Sequence, residues 1–306
     1  MPRPDPGVPL VDLDAIRAAA ARLSGIAVHT PLIAFDPGPP SILLKAESLQ
    51  PIGAFKIRGA FNAIAQLSPA ELARGVVAHS SGNHAQGVAR AARRLGIRAV
   101  IVMPSDAPAV KRARVEADGA EIVTVGIESG EREAMADRLV AERGLVLIPP
   151  YDDDRIIAGQ GTVGLEIAED VPDLALVLVP VGGGGLASGV AAAVKAVHPG
   201  ARVIGVEPEL AADAADSLRE GRIVRWDGAL TARTISDGTR TQSIGRRNFD
   251  HMSRLLDGIV TVSEAEIAAA VRLAAEVSRL VVEPSGALSI AAARFHALEL
   301  ELAGRT

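Results

Sequence analysis

Two doubly wound α/β units built on parallel sheets are what this sequence predicts. Three observations carry that reading. Short apolar, β-rich runs alternate with Ala-rich runs at helical spacing. A glycine follows each of the first three helical runs, at Gly96, Gly119 and Gly144, where a left-handed C-cap is wanted. The strand runs are apolar throughout rather than alternating, as in a parallel sheet covered on both faces.

Taken in order, Val76–His79, Ala99–Met103, Glu121–Val125 and Leu145–Ile148 read as strands. Ala85–Leu95, Ala109–Ala117 and Glu131–Arg143 read as the helices between them. A second series follows Tyr151. Gly161–Glu169 reads as helix, Leu174–Val181 as strand, Leu186–Val197 as helix and Arg202–Val206 as strand. Ala212–Glu220 is helix, Ile259–Val262 strand, and Glu264–Leu280 and Gly286–Leu302 are helices. Ile42–Ala46 also reads as a strand and is expected to join the second sheet. The first unit is then an insertion: residues 73–149 form a small α/β unit, and residues 1–72 with 150–306 form the large one. Pro37–Pro40 reads as a loop. Arg222–Asn248 has no clear period and reads as a long functional loop with a short strand or turn.

Composition excludes several function classes. Lys+Arg 32 against Asp+Glu 37 leaves a net charge of −5, so no basic field exists to hold a nucleic acid backbone. Seven aromatics (five Phe, one Tyr, one Trp) give few platforms for stacking bases. Cysteine is absent, which removes disulfides, thiolate metal sites and a cysteine nucleophile. Apolar stretches such as Leu174–Val181 fall far short of the ~18 residues needed to span a membrane. Met1 to Leu10 is rich in proline and lacks a charged-then-apolar signal pattern, so a cytoplasmic protein is expected.

Three segments carry unusual chemistry near strand ends or helix starts, where ligands gather in doubly wound sheets. The first runs Lys45 to Asn62 and places Lys56 after Gly53-Ala-Phe55, at the start of an apolar helix. A lysine partly desolvated there loses preference for its charged form, as attack on an aldehyde requires. A surface lysine in a helical first turn is the plainer reading. The second is His79-Ser-Ser-Gly-Asn-His-Ala-Gln86, directly after a strand. Its hydroxyls, Asn83 and the helix N-terminus suit a carboxylate. Ordinary capping by Ser80, Ser81 or Asn83 also accounts for it. The third is Val181-Gly-Gly-Gly-Gly-Leu186, whose backbone N–H groups can converge on a phosphate with no side chain in the way. Gly182, Gly184 and Ala187 also match a dinucleotide fingerprint, with Glu207 twenty residues on for a ribose hydroxyl. An NAD-dependent oxidoreductase is therefore a rival, although it leaves Lys56 and the Ser80–His84 cup without a task.

The three segments together resemble fold-type II pyridoxal-phosphate (PLP) enzymes, specifically the serine/threonine dehydratase and serine racemase family. Gly53-Ala-Phe-Lys56-Ile-Arg-Gly-Ala matches its lysine motif, Ser80-Ser-Gly-Asn-His-Ala-Gln its asparagine loop, and Gly182–Gly185 its phosphate loop. Pro149-Pro-Tyr-Asp-Asp, Ala158-Gly-Gln-Gly-Thr, Ser236-Asp-Gly and Val282-Glu-Pro-Ser-Gly fit as well. The likeness runs from about Thr30 to Ala293. It implies a tryptophan synthase beta-like fold with the cofactor in the cleft between two domains, the large one binding it. It implies that Lys56 holds the cofactor as a Schiff base and later moves protons. Phe55 would pack against the ring and Asn83 bond its hydroxyl oxygen. Gly182, Gly183, Gly184 and Gly185 would cradle the phosphate, and Gly238 and Glu283 line the pocket. Ser80, Ser81, Gly82, Asn83 and His84 would bind the substrate carboxylate.

The implied reaction is loss of ammonia from a small β-hydroxy amino acid (serine, threonine or 3-hydroxyaspartate) to give a 2-oxo acid. Ser81, where purely eliminating relatives often carry Ala, adds serine racemase activity as a second base opposite the lysine; helix capping is its other reading. Glu207-Pro-Glu-Leu-Ala211-Ala-Asp213 is similar to the family's divalent-cation site, with Glu207, Asp213 and the Ala211 carbonyl for Mg²⁺, Ca²⁺ or Mn²⁺. A solvated acidic helix start is the alternative. Asp237 to Gly245 resembles members acting on hydroxyaspartate, in which Arg240 would meet a second carboxylate. The family's last strand, with its Ser/Gly/Gly turn, has no match here, so no partner for the pyridine nitrogen is assigned. The resemblance further implies a homodimer in amino acid metabolism.

Overall fold

The computed structural model describes residues 7–35, 42–80, 82–126 and 129–302. Nine strands occur among them, in three sheets. β1 (Leu32–Phe35) and β2 (Ile42–Lys45) pair antiparallel. β3 (Val76–His79), β4 (Ala99–Pro104), β5 (Glu121–Val125) and β6 (Val146–Leu147) form a parallel sheet in the order β5-β4-β3-β6. β7 (Leu176–Pro180), β8 (Arg202–Pro208) and β9 (Gly258–Val262) form a second parallel sheet in chain order.

Both parallel sheets are covered on two faces, which explains their apolar strands. In the four-stranded sheet, Val76, Ala78, Ile101 and Met103 meet the helices Lys56–Ile64 and Asn83–Leu95 on one side. Val77, Val100 and Val102 point the other way, onto Ala136 and Leu139 of Ser129–Arg143. In the three-stranded sheet, Val177, Val179 and Val203 face the helix Gly185–Val197. Ile204, Val206, Val260 and Val262 face Glu264–Ser278 and Pro284–Phe295. Gly96, Gly119 and Gly144 all take positive φ, between 66° and 80°, as their places after helices require.

The strand order reverses at β3. From β3 the chain steps to β4 and β5 on one side, then returns to β6 on the other. The segment after β3, which holds Ser80 and Asn83, therefore lies at a topological switch point, where open sheets leave a crevice. The tetraglycine segment follows β7, the edge strand of the second parallel sheet.

Several elements differ from expectation. Ile42–Lys45 does not join the second sheet. It pairs with Leu32–Phe35, a strand the periodicity did not suggest, although Phe35, Ile42 and Leu44 share the core of that sheet. The helix expected at Gly161 begins at Asp154, capped by the Asp153 carboxylate accepting from the Arg155 amide at 2.7 Å. Its glycines hid the first turns, because they pack rather than break the helix. The last helix ends at Phe295, with turns to Glu301 in place of further helix. Arg222–Asn248 contains no strand. It holds the helical turn Gly228–Thr231, the 3₁₀ turn Asp237–Thr239 and the start of the helix Arg246–Leu255. Leu13–Arg22 and Pro69–Arg74 are additional helices. Pro37–Pro40 lies outside the described residues.

One helix ties the molecule together. Asp154–Asp170 packs against both Lys56–Ile64 and Gly185–Val197 through glycines. A Cβ on Gly159 would sit 2.6 Å from Gly59 Cα, and one on Gly189 would sit 2.3 Å from the Ile157 carbonyl oxygen. Backbone meets backbone at both crossings. Polar contacts fix the same helices. The guanidinium of Arg58, only 1% exposed, meets Glu47 at 2.8 Å and Glu166 at 2.6 Å, and Thr162 at 3.0 Å. An arginine buried so deeply requires paired, hydrogen-bonded carboxylates on both sides.

The close crossing yields a prediction. Alanine in place of a mid-helix glycine gains up to ~1 kcal/mol from helix propensity. At Gly189 the added methyl would overlap rigid backbone, which costs more. Gly189→Ala should therefore lower stability by ~1–3 kcal/mol, read from the urea midpoint at unchanged m-value.

Candidate active site

Lys56 is the first residue of the helix Lys56–Ile64. The loop before it turns at Gly53, and burial of Ile57, Ala60 and Ile64 holds the helix in place. The Lys56 ammonium nitrogen donates to the Pro150 carbonyl at 2.7 Å and lies 5.4 Å from the centre of the Phe55 ring. Burial lowers its pKa to about 8, because the charged form has lost its water. Near neutral pH a usable fraction of this amine is therefore an uncharged nucleophile.

His84 lies in the first turn of the helix Asn83–Leu95 and is buried. Its Nε2 donates to the Ile148 carbonyl at 2.9 Å. Burial, then the nearby Lys56 charge, drives its pKa down to about 3, so the imidazole is neutral with Nδ1 free of a proton. Asn83 donates from Nδ2 to Glu283 Oε1 at 2.6 Å, joining groups 200 residues apart. Burial, then the charge of Asp237, raises the Glu283 pKa above the ordinary range. The Ser80 hydroxyl accepts from the Gly82 amide at 3.2 Å. Ser81 lies outside the described residues.

The four glycines follow β7 and open the 13-residue helix Gly185–Val197. Gly184 has φ +96°, a conformation that L side chains rarely adopt. A Cβ on Gly183 would lie 2.2 Å from the Tyr151 ring. Nothing but glycine fits there, and the bare backbone presents its N–H groups at a helix N-terminus. Gly238 donates its amide to the Ser285 hydroxyl at 2.9 Å.

Phe55, Lys56, Ser80, Gly82, Asn83, His84, Gly182 to Gly185, Gly238, Arg240 and Glu283 all line one cavity of about 1160 Å³. Its polar end lies at these residues, and an apolar end runs between β2 and β7 past Ile42, Leu44, Leu176 and Leu178. Arg240 lines the cavity but spends Nε and Nη2 on the Thr234 carbonyl, at 2.8 and 2.5 Å.

Glu207, Ala211 and Asp213 do not line this cavity. Glu207 is fully buried, with Oε1 and Oε2 accepting from the amides of Ala214 and Ala215 at 3.1 and 2.7 Å. That geometry removes the dinucleotide reading, since this carboxylate has no path to a ribose at the glycine loop. Asp213 is fully buried, and neither of its oxygens has a well-aligned hydrogen-bond partner, although the Thr241 hydroxyl and the Ile244 amide lie near enough to offset part of the cost of burial. Burial pushes its pKa up to about 7, and burial with the neighbouring Asp213 pushes Glu207 well above its usual range. Among the described residues no group of three or more His, Asp or Glu side chains converges as a metal site.

Three features of the cleft escaped the sequence reading. The Pro150 carbonyl receives the Lys56 amine, and the Tyr151 ring backs the glycine loop. Pro149-Pro-Tyr did mark the place, though no role followed from it. Lys111 and Asp237 form an ion pair across the cleft. Lys111 gave no signal, as it sits in an ordinary polar helix.

Known proteins give the same picture. The family model described as pyridoxal-phosphate dependent enzyme matches residues 23–305. An L-threo-3-hydroxyaspartate ammonia-lyase of Saccharomyces cerevisiae is 44% identical over 85% of this chain and 78% of its own. A serine racemase of Schizosaccharomyces pombe is 41% identical over 92% of this chain and 87% of its own. A solved threonine deaminase of T.th. superposes with a TM-score of 0.88 at 45% identity, covering 94% of each chain. With a buried lysine and a bare glycine loop facing one cavity, and a family match over nearly its whole length, the chain belongs to the pyridoxal-phosphate dependent enzymes of fold-type II.

Proposed function

We propose that this enzyme is an ammonia-lyase for a small β-hydroxy amino acid, with serine racemase activity beside it. Serine, threonine and 3-hydroxyaspartate are the substrates in view, and the products are a 2-oxo acid and ammonia. One observation carries the reading: the desolvated Lys56 amine and the Gly182–Gly185 loop face the same cavity.

The residues present fit pyridoxal phosphate. Gly182 to Gly185 pack so closely on Thr239, Tyr151 and Asn248 that a Cβ at any of them would crowd these neighbours, and the helix N-terminus favours a phosphate there. Lys56 would hold the aldehyde carbon, Phe55 would pack on the ring, and Asn83 would bond its hydroxyl oxygen. Gly238 and Glu283 would close the wall. When bound, the cofactor supplies an electron sink for negative charge at the substrate α-carbon.

The chain's own groups do the rest. Ser80, Ser81, Gly82, Asn83 and His84, at the start of the helix Asn83–Leu95, hold the α-carboxylate. Lys56, freed when the substrate amine takes its place on the aldehyde carbon, would accept the α-proton as general base, its lowered pKa placing it near working pH. The β-hydroxyl would then leave as water, its added proton balancing the one Lys56 removed, and a second water would release the 2-oxo acid and ammonia by hydrolysis. Ser81 serves as the second base for racemisation. In this reading the large unit (1–72 and 150–306) binds the cofactor and the small one (73–149) brings the carboxylate loop. Arg240 stands at the cavity edge, where the N–H groups not spent on Thr234 would meet a second carboxylate.

The reading includes a divalent cation, Mg²⁺, Ca²⁺ or Mn²⁺, on Glu207, Asp213 and the Ala211 carbonyl. Two unpartnered, buried carboxylate oxygens on Asp213 support it, because an ion would answer their desolvation. The reading makes the enzyme a cytoplasmic homodimer acting on free amino acids. Among the described residues no helix is long and apolar enough to cross a membrane.

Four measurements test this. Purified protein loaded with pyridoxal phosphate should absorb visible light, lose that band on borohydride reduction and gain mass on the Lys56 peptide. A 2-oxo acid should appear with serine, threonine or hydroxyaspartate; release from none of them overturns the reading. In cofactor-free protein, coupling to pyridoxal phosphate should quicken as pH rises through about 8, where the amine loses its proton. An unperturbed lysine would need a pH near 10.5, and Lys56→Ala should not couple at all. Finally, Mg²⁺, Ca²⁺ or Mn²⁺ should raise Tm by several degrees. Asp213→Asn should abolish the shift, and no shift with any of the three ions refutes the cation.

A further inference from the structure

Lys111 belongs to the helix Ala109–Ala117, outside every motif discussed so far. Its side chain is 20% exposed and lines the cavity that holds Lys56 and Asn83. A Cβ on Gly82 would find the Lys111 nitrogen 3.7 Å away as its nearest neighbour. The ammonium therefore stands beside the loop that receives the substrate carboxylate. It pairs with Asp237, which precedes the cavity-lining Gly238, 126 residues away in sequence.

The pairing leaves donors unused. An ammonium has three N–H groups. Asp237 is the acceptor found for Lys111 among the described residues. Asp237 is the more exposed partner, at 39%, and can swing into water when another carboxylate competes. Arg114 and Arg132 line the same cavity and favour an anion there. Of the acidic residues lining the cavity, Glu283 is biased toward its neutral form by burial and Glu47 is paired with Arg58, which leaves Asp237, Glu133 and Asp173 to oppose the anion.

We propose that Lys111 reads a second carboxylate on the substrate, giving up Asp237 to do so, and that it sets a preference for four-carbon dicarboxylic amino acids over serine. The proposal rests on the lyase reading and narrows it. With a monocarboxylic substrate, Lys111 stays paired with Asp237 and adds nothing. With a dicarboxylic one, it gains a charge-assisted hydrogen bond in a partly desolvated site.

The test uses the pyridoxal-phosphate-loaded enzyme and two unreactive probes, succinate and butyrate, by titration calorimetry. Succinate should bind more tightly than butyrate. Lys111→Met should weaken succinate about 10- to 100-fold and butyrate far less, while Lys111→Arg should restore most of the difference. Should the methionine variant fail to fold, Asp237→Asn decides. Freed of its competitor, Lys111 should bind succinate severalfold more tightly. In turnover, the ratio of kcat/KM for 3-hydroxyaspartate over serine should fall in Lys111→Met by a similar factor. Equal losses for succinate and butyrate would mean that Lys111 serves the α-carboxylate or the fold, and would overturn the proposal. So would unchanged succinate binding in both variants. Absence of 2-oxo acid from every substrate would instead count against the lyase reading, because calorimetry reports on Lys111 without turnover.

Discussion

The site depends on a backbone-to-backbone seam. The helix Asp154–Asp170 meets the lysine-bearing helix at Gly159 and Gly59, and the helix that follows the four glycines at Gly161 and Gly189. A single rigid rod therefore sets the separation between the Lys56 amine and the Gly182–Gly185 amides. A side chain at any of these crossings would overlap rigid backbone and force the helices apart. Arg58, two residues beyond Lys56 and clamped by Glu47 and Glu166, fixes the rotation of the same helix. A buried guanidinium of this kind gives little net stability but tolerates few alternative arrangements.

The same loss of water acts in opposite senses on different groups. It lowers the pKa of Lys56 and His84 and raises those of Glu283, Asp213 and Glu207. Each shift favours the neutral form. The cleft thereby holds an amine able to attack and an imidazole able to accept. The second region, away from the cleft, holds two carboxylates with few donors. Tyr151 links the two regions: its ring covers the glycine loop, and its hydroxyl is raised to about 12 by burial and then by Asp213.

Much of this was legible in the residues. Apolar strands, glycine caps and the three loops gave both parallel sheets and the residues that share the cavity, because each signal is local. Pairing was less legible. Ile42–Lys45 looks like a strand in any partner's company, and only the fold joins it to Leu32–Phe35 rather than to β7. The helix from Asp154 was cut short because glycine usually argues against helix, whereas here it permits the crossing. Lys111 and Asp237 could not be paired in advance, since neither the spacing of 126 residues nor the helix around Lys111 marks either one.

The cleft is stitched by contacts that reach far along the chain. Lys56 meets Pro150 across 94 residues, Lys111 meets Asp237 across 126, and Asn83 meets Glu283 across 200. A growing polypeptide carries the lysine early, yet does not close the contact between Asn83 and Glu283 until Glu283 has left the ribosome. Completion of the cleft therefore waits on contacts between distant parts of the chain and reports on folding of both parallel sheets rather than of either alone.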